Sequence, residues 1–456
     1  MKTIAIIGGG FAGTMVAANL ARGAGAQPLT VVLIERNPSI GRGVAYSTRH
    51  RPHLLNVPAG RMSAWRDQPD HFLHWLQERD AGITSGSFVR RSLYGEYVEF
   101  TLNETLTAAP PSFIFTRRTA AAAQMRIDAN GRARIALNQG DPVYADHVVL
   151  AVGNQAPRAV LSPAELTQLG DRYIGDPWSD GGLERCRPDE PLLVIGTGLT
   201  MVDFAITLRA RGHHAPLIAL SRRGLLPHAH RNPPRAPAPF ADPFRADEWD
   251  GRVLPLLRWI RNTSNQTGEW REVVNSLRGD TATIWSRLSH CERERFLRHL
   301  RSFWDIHRHR MPQEIERVVR SMIDGGALSI VAGRLCGVRA ESERLFADVR
   351  PRGSNDIRTY CIARIVNCTG PECDFSRVAD PLLQNLQSTG QIVVDRWGLG
   401  LLTNGQGALI DRNGRASEVL YTLGGVRRGD LWETTAVPEI RVQAAELAIT
   451  LGAAPR

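Results

Sequence analysis

The chain opens on an almost unbroken apolar run, Lys2–Ile7, which stops at Gly8-Gly9-Gly10 and gives way to small and apolar residues at helical spacing over Thr14–Arg22. A short apolar run bounded by glycines reads as a strand buried on both faces, and a 3.6-residue period reads as a helix laid against it. About 190 residues further on the same order returns: "PLLVIG" ends at Gly196, Gly198 follows, and "TMVDFAITLRARG" has helical spacing. A second apolar run follows each unit, "LTVVLIER" after the first and "PLIALSRRG" after the second. Two more, "ADHVVLAVG" and "IARIVNCTG", end at Gly153 and Gly370. Strand, helix and strand in alternation predict parallel sheets with helices on both faces. The fold class expected is therefore α/β: two Rossmann-like three-layer units, the second inserted in the first.

Between the units' later strands the pattern changes. "LLPHAHRNPPRAPAPFADPF" is rich in Pro, Arg and His and reads as a loop. Helical segments follow over about 246–324, among them "EWREVVNSL" and "ERERFLRHLRSFWDIHRHR", and predict a helical cap. The boundaries drawn from this pattern are 1–155 plus 355–456 for the first domain and 186–354 for the second, with the helical insertion at about 228–325.

The glycines say what the first unit could hold. Gly8-x-Gly10-x-x-Gly13 sits between a strand and a helix. One glycine there permits the tight turn, one lets backbone approach a pyrophosphate, and one lets helix pack on strand. The helix N-terminus offers free N–H groups to phosphate. Glu35 ends the next strand, 22 residues after Gly13, where a ribose hydroxyl would be bound. The second unit has Gly196-x-Gly198 but Met201 in place of the third glycine, which predicts looser helix–strand packing. Its following strand ends in Ser221, Arg222 and Arg223, and arginines there suit a 2′-phosphate, hence NADPH over NADH. Two turns imply two dinucleotides: FAD on the first and NADH or NADPH on the second, with hydride passing between them.

Composition removes several classes. At 456 residues the chain is long enough for two or three cores. No apolar run reaches the ~20 residues of a membrane span, and a cytoplasmic location is expected. Net charge is +10, nearly all of it arginine, because Lys2 is the only lysine. That excludes lysine Schiff-base chemistry and a GKT or GKS phosphate loop. The arginines are dispersed without an aromatic ladder, so nucleic acid is not an expected partner. The six cysteines form no CxxC. Cys368 and Cys373 have the spacing of a redox pair but stand late in the chain, and reduced thiols are expected. A zinc site from His228, His230, His307 and His309 lacks a recognised ligand spacing, and no metal is expected.

"GRGVAYSTRHRPHLLNVPAGRMSAW", "WDIHRHRMPQEI", "VNCTGP" and "GDLWETTAVPEIRVQA" together resemble the two-dinucleotide FAD/NAD(P)-binding flavoproteins related to the flavin-dependent N-hydroxylating monooxygenases. The resemblance covers nearly the whole chain and includes similarity to an FAD-dependent urate hydroxylase branch. It implies FAD contacts from Gly8, Gly10, Gly13, Glu35, Arg42 and Gly153. It implies nicotinamide contacts from Gly196, Gly198 and Arg222, a cofactor contact from Gly370, and a C-terminal flavin segment over Thr434–Arg441 with Thr435 and Pro438. Asn56 resembles an asparagine near the flavin.

The reaction this implies is NAD(P)H- and O2-consuming hydroxylation of a small molecule, with urate, giving 5-hydroxyisourate, as the first expectation. Guanidinium forks with amide or imidazole partners suit an anion with many acceptors, which makes His53, Asn56, Arg61, His307, Arg308 and Arg310 candidates. N-hydroxylation of an amine or amino acid, or an NAD(P)H oxidase or reductase activity, are the alternatives. A sensor would not need the second turn.

Overall fold

A computed structural model of the chain describes residues 1–179, 181–231, 249–342 and 344–452. Two sheets carry the molecule. In the first, the spatial order is Ala408–Ile410, Ala416–Thr422, His147–Leu150, Lys2–Ile7, Leu29–Glu35, Phe113–Thr119. All neighbours are parallel except the first pair. The second runs Arg358–Ile362, Arg344–Pro351, Leu328–Glu341, Leu217–Ser221, Leu192–Ile195, Arg364–Asn367, Tyr173–Ile174. The five strands from Leu328–Glu341 to Tyr173–Ile174 are parallel, and an antiparallel pair extends the opposite edge. The Lys2–Ile7 strand and the Leu192–Ile195 strand hold the same place in their sheets, as two copies of one unit require. Each is buried on both faces, which is why both read as continuous apolar runs.

The strand pairing moves the domain boundaries. Tyr173–Ile174 and Arg364–Asn367 both pair in the second sheet. The inserted domain therefore spans about 173–367 and not 186–354. The chain leaves and re-enters the first domain through two segments that touch at an antiparallel bridge, Gln155 to Glu372. A small three-stranded sheet, Ala122–Ile127, Ala133–Leu137 and Val143–Ala145, packs through Met125 and Ile135 on the core of the first domain.

The cap is helical where it is described: Val253–Thr267, Trp270–Ser276, Thr281–Arg287, His290–His299 and Arg301–Arg308. The helix Gln313–Asp324 is not part of it. That helix leads into Leu328–Glu341, and its buried residues Ile315, Val319 and Met322 share a core with Met201 and Phe204. The cap enters and leaves the second domain side by side, at a parallel bridge between Ala229 and Met311. Most of the Pro-rich loop, from 232 onward, lies outside the described residues. The far side of the cap rests on the first domain, where the Trp285 indole N–H donates to the Gly429 carbonyl at 2.8 Å. Trp285 stacks there on Trp432, ring centroids 4.9 Å apart. Among the described residues no helix is long and apolar enough to cross a membrane.

Candidate functional site

The two glycine turns share one geometry. Gly8 has φ +108°, and a Cβ there would lie 2.2 Å from the Ala151 carbonyl oxygen. Gly196 has φ +111°, and a Cβ there would lie 2.3 Å from the Cys368 carbonyl oxygen. Only glycine satisfies both the dihedral and the approach. The helices that follow, Phe11–Arg22 and Leu199–Ala210, begin at Gly10 and Gly198, and neither has a side-chain cap. Their first N–H groups therefore point outward unpaired by any side chain, at the carboxyl edge of the sheet, which is the arrangement that receives a pyrophosphate.

Around the first turn the fit to FAD is specific. Glu35 stands at the end of its strand, where its carboxylate accepts from the N–H of Gly9 at 2.7 Å and of Asn37 at 2.8 Å. Gly41 donates to the Gly9 carbonyl at 2.7 Å, so the "GRG" motif lies directly on the turn. Arg42, assigned to the cofactor by resemblance, is instead held by Glu99 through two hydrogen bonds of 2.7 and 2.8 Å. Gly153 follows the neighbouring strand, three residues past its end, and is exposed, with φ +61°. Next to it Gly425 approaches Thr435 and Asn154. Thr435 is exposed, while Thr434 is fully buried and donates to the Gly424 carbonyl at 3.1 Å. The helix Val437–Thr450 starts just beyond, uncapped by any side chain and with Pro438 in its first turn.

At the second turn Gly370 follows the adjoining strand, three residues past its end, with φ +89°. Ser221, Arg222 and Arg223 close the Leu217–Ser221 strand, but they do not act as a group. The Ser221 hydroxyl accepts from Thr197 at 2.9 Å. Arg223 donates to the His299 carbonyl at 3.2 Å and lies over Phe303, so it fastens the cap. Arg222 alone is exposed and points to no partner among the described residues.

The residues expected to do chemistry divide in two. His53 is 2% exposed, and both its ring nitrogens are engaged, with Thr48 and with Thr207 at 2.7 Å each. Burial, with Arg91 and His50 nearby, pushes its pKa down to about 3. A neutral, enclosed imidazole bridging the two domains cannot meet a substrate, so His53 is a structural bolt and not a catalytic group. The remaining candidates gather where the cap, the early loop and the C-terminal segment meet. The Asn56 carbonyl accepts from His230 Nε2 at 2.9 Å. Arg61 ends a short helical turn after it, half-buried. Arg308 forms ion pairs with Glu433 at 3.6 Å and Glu439 at 3.9 Å. Arg310, 4% exposed, donates to the Asn275 amide oxygen and lies 5.7 Å from the Trp270 ring.

Sequence reasoning missed the anionic side of this cluster. Glu439 accepts from Arg278 at 2.6 and 3.0 Å. Glu433 accepts from the Trp304 indole N–H at 2.7 Å and pairs with His309 at 3.8 Å. Burial works to raise the Glu433 pKa, but His309, Arg308 and the Trp304 N–H outweigh it and hold the carboxyl below its usual range. The signal was present: two acids, Glu433 and Glu439, flank the otherwise uncharged "TTAVP". The His228 and His307 rings lie 4.7 Å apart, both against Trp270, while His309 pairs with Glu433 and His230 with the Asn56 carbonyl, so the four histidines do not converge.

The six cysteines are all free. Cys368 is 3% exposed, and burial pushes its thiol pKa well up, which suits an inert packing residue.

Two glycine turns of one geometry, each between a strand and an uncapped helix, together with a helical cap that touches both domains, define a two-dinucleotide-binding fold. Residues 5–155 match the family described as FAD-NAD(P)-binding. The chain is 25% identical over 255 residues to an L-aspartate N-monooxygenase (nitrosuccinate-forming) of Streptomyces davaonensis. That match takes in 46% of this chain and 39% of the relative, about two-fifths of its length. Among solved structures it is similar to an ornithine N-hydroxylase of Kutzneria sp. 744, with a TM-score of 0.67 and 13% identity over 98% of both chains. It is likewise similar to an L-lysine 6-monooxygenase of Pseudomonas syringae, with a TM-score of 0.67 and 17% identity over 99% of both chains. The chain thus carries an FAD-NAD(P)-binding domain and, over nearly its whole length, the fold of the flavin N-hydroxylating monooxygenases. The resemblance seen in the motifs is borne out for the fold and for an FAD-NAD(P)-binding match over residues 5–155. Its urate branch finds no support: the relatives named here are N-hydroxylases or N-monooxygenases of amino acids.

Proposed function

We propose that this protein is an FAD-dependent, NAD(P)H-consuming N-hydroxylase of an amine or amino acid. The substrate nitrogen gains one oxygen atom of O2 as N–OH, the other oxygen leaves as water, and NAD(P)H with a proton supplies the reducing equivalents. Bound FAD would take hydride from the nicotinamide and activate O2. The observation that carries the reading is the pair of matching cradles, Gly8–Gly10 and Gly196–Gly198, each followed by an uncapped helix. A flavoprotein that only held FAD would not need the second.

The chain's own residues do the remaining work. Gly8, Gly10, Gly13 and Glu35 would hold FAD, with Gly153, Thr435 and the first turn around Pro438 at the far end of the same edge. Gly196, Gly198, Gly370 and Arg222 would hold the nicotinamide dinucleotide. The cap, anchored by Trp285 on Gly429 and by Glu433 on Trp304, would shield the site from water. Cys368 and Cys373 offer no redox disulfide, which disfavours a disulfide reductase built on the same fold.

The test is a coupled assay on the FAD-loaded protein with NADPH or NADH, O2 and a panel of amino acids and diamines. Hydroxylamine formed in step with NAD(P)H consumed is the expected result. Oxidation that yields only H2O2 with every member of the panel would contradict the proposal.

A further inference from the structure

We propose that Trp432 is the positioning residue through which the cap sets the flavin: it fixes the stretch Thr434–Pro438 that would receive the ring. The proposal rests on the placement of FAD along the first turn, Thr435 and Pro438, and not on the N-hydroxylase reading. Trp432 has φ +59° and ψ −69°, and the Glu433 N–H donates to the Leu431 carbonyl at 2.8 Å. Those are the dihedrals and the hydrogen bond of a γ-turn of the rare, strained hand. Among the described residues the one other non-glycine with positive φ is Ser342, which is exposed. A bulky side chain keeps such a conformation only where its surroundings over-determine it.

The cap supplies those surroundings. Trp432 is 3% exposed and shares a core with Val253, Trp285 and Leu288 of the cap. Its ring stacks on Trp285 and meets Phe296 edge-on, with centroids 5.1 Å apart. The Arg428 guanidinium lies over it at 4.5 Å. The turn sends Glu433 back into the cap, where it accepts from Trp304 and pairs with Arg308 and His309.

Beyond the turn the chain reaches the cofactor side. Thr434 is fully buried, and its hydroxyl accepts from the Gln443 amide at 2.6 Å. The Gln443 carbonyl oxygen accepts in turn from the Gly424 N–H at 3.0 Å. Thr435 is exposed beside Gly425, and the helix Val437–Thr450 begins just after it. Glu439, in the first turn of that helix, is gripped by the cap again through Arg278. The stretch is therefore held from inside by Gln443 and at both ends by the cap. An uncapped helix start favours negative charge near it, such as a reduced flavin carries. Letting that start drift weakens the hold on reduced flavin more than on oxidised flavin. Release of Trp432 does this without removing any group placed at the cofactor.

The test is the midpoint potential of the bound flavin, read by dye-coupled anaerobic titration with no amine and no coenzyme present. In Trp432→Ala the ratio of affinities for reduced and oxidised FAD should fall roughly 5- to 30-fold, the range of a helix terminus acting in a partly buried place, and the visible spectrum should shift. Trp432→Phe keeps a ring against Trp285 and Phe296 and should recover most of the loss. Trp432→Gly removes the ring but accepts positive φ without strain, so it should share the lowered potential yet unfold at higher urea than Trp432→Ala. Glu433→Gln keeps an acceptor for Trp304 and loses the charge facing Arg308 and His309. It should shift the potential the same way by less, and it decides the matter if Trp432→Ala does not fold. A parent-like potential in the variants that fold, with stability alone reduced, would make Trp432 a plug in the core of the cap and overturn the proposal. So would an alanine variant as stable as the glycine one. A parent protein that binds no FAD would remove the reading beneath it before any variant is compared.

Discussion

At Gly8 and at Gly196 the backbone turns with φ of +108° and +111°, and the carbonyl of the strand crossing beneath takes the space a Cβ would need. Five residues later the two units part. A Cβ on Gly13 would lie 2.0 Å from the Gly8 carbonyl oxygen and 3.0 Å from Ile6. Met201, at the equivalent place, is fully buried and packs into the core with Phe204 and Val319. The first helix therefore lies tight on its strand, and the second stands off by a side chain that fills the gap. The strand ends differ too: Glu35 accepts two backbone N–H groups beside the first turn, and Arg222 stands exposed beside the second. One fold element, used twice, is closed and acidic where a cofactor is to be kept, and more loosely packed and basic where one is to visit.

The swap of the two divergent residues breaks this comparison most severely. Gly13→Met forces side-chain atoms against backbone oxygen that cannot move aside, at the upper end of the ~1–3 kcal/mol of ordinary overpacking or beyond it. The variant should lose bound FAD. Met201→Gly deletes a buried side chain and places glycine in a helix, a cost of about 3–5 kcal/mol. Urea unfolding of both variants checks the pair; a Gly13→Met protein as stable as the parent would show that the tight packing has no energetic weight.

Gly196→Ala tests function more than stability. Its Cβ would meet the Cys368 carbonyl in the second domain, far from the first turn. Flavin content should stay near normal while reduction by NADPH slows on the order of a hundredfold, about 2.7 kcal/mol in barrier terms. Rapid mixing under anaerobic conditions measures it.

Acid should loosen the seam between the domains. His53 is neutral in the folded chain above about pH 3, whereas unfolded it takes a proton below its ordinary 6.5. Between those values the unfolded state binds more protons, so stability falls as pH is lowered, by about 1.4 kcal/mol per pH unit at most for this one group. His53→Gln should be less stable than the parent at neutral pH yet lose stability less steeply on acidification. An unchanged slope would mean that His53 is not the group responsible.

The smallest effect is expected at Arg222. With Arg223 occupied by His299 and Phe303, a single exposed guanidinium would select the 2′-phosphate. Arg222→Ser should raise KM for NADPH about tenfold and leave NADH nearly untouched. An equal change for both coenzymes would remove Arg222 from the selection.

What was legible in the sequence follows from how local each signal is. The glycine turns could be read because strand, turn and helix stand within about 20 residues of one another. The boundaries could not, because the two-residue strand Tyr173–Ile174 has no pattern, and the pairing of Arg364–Asn367 with Leu192–Ile195 spans the whole insert. Gln313–Asp324 was legible as a helix but not as part of the second domain, since only its contact with Met201 and Phe204 decides that. Arginine partners lie far away in sequence: Glu99 holds Arg42, and Glu433 pairs with Arg308. His53 looked catalytic in a motif rich in His and Arg; Thr207, 154 residues away, is what makes it a bolt.

The central claim is that the first turn keeps FAD and the second admits the coenzyme that reduces it. The most direct measurement is the flavin absorbance of the purified protein, followed anaerobically on mixing with NADPH, for the parent and for Gly196→Ala. The account predicts stoichiometric flavin in both, rapid bleaching in the parent and slow bleaching in the variant. A protein that carries no flavin, or a Gly196→Ala variant reduced as fast as the parent, would contradict it.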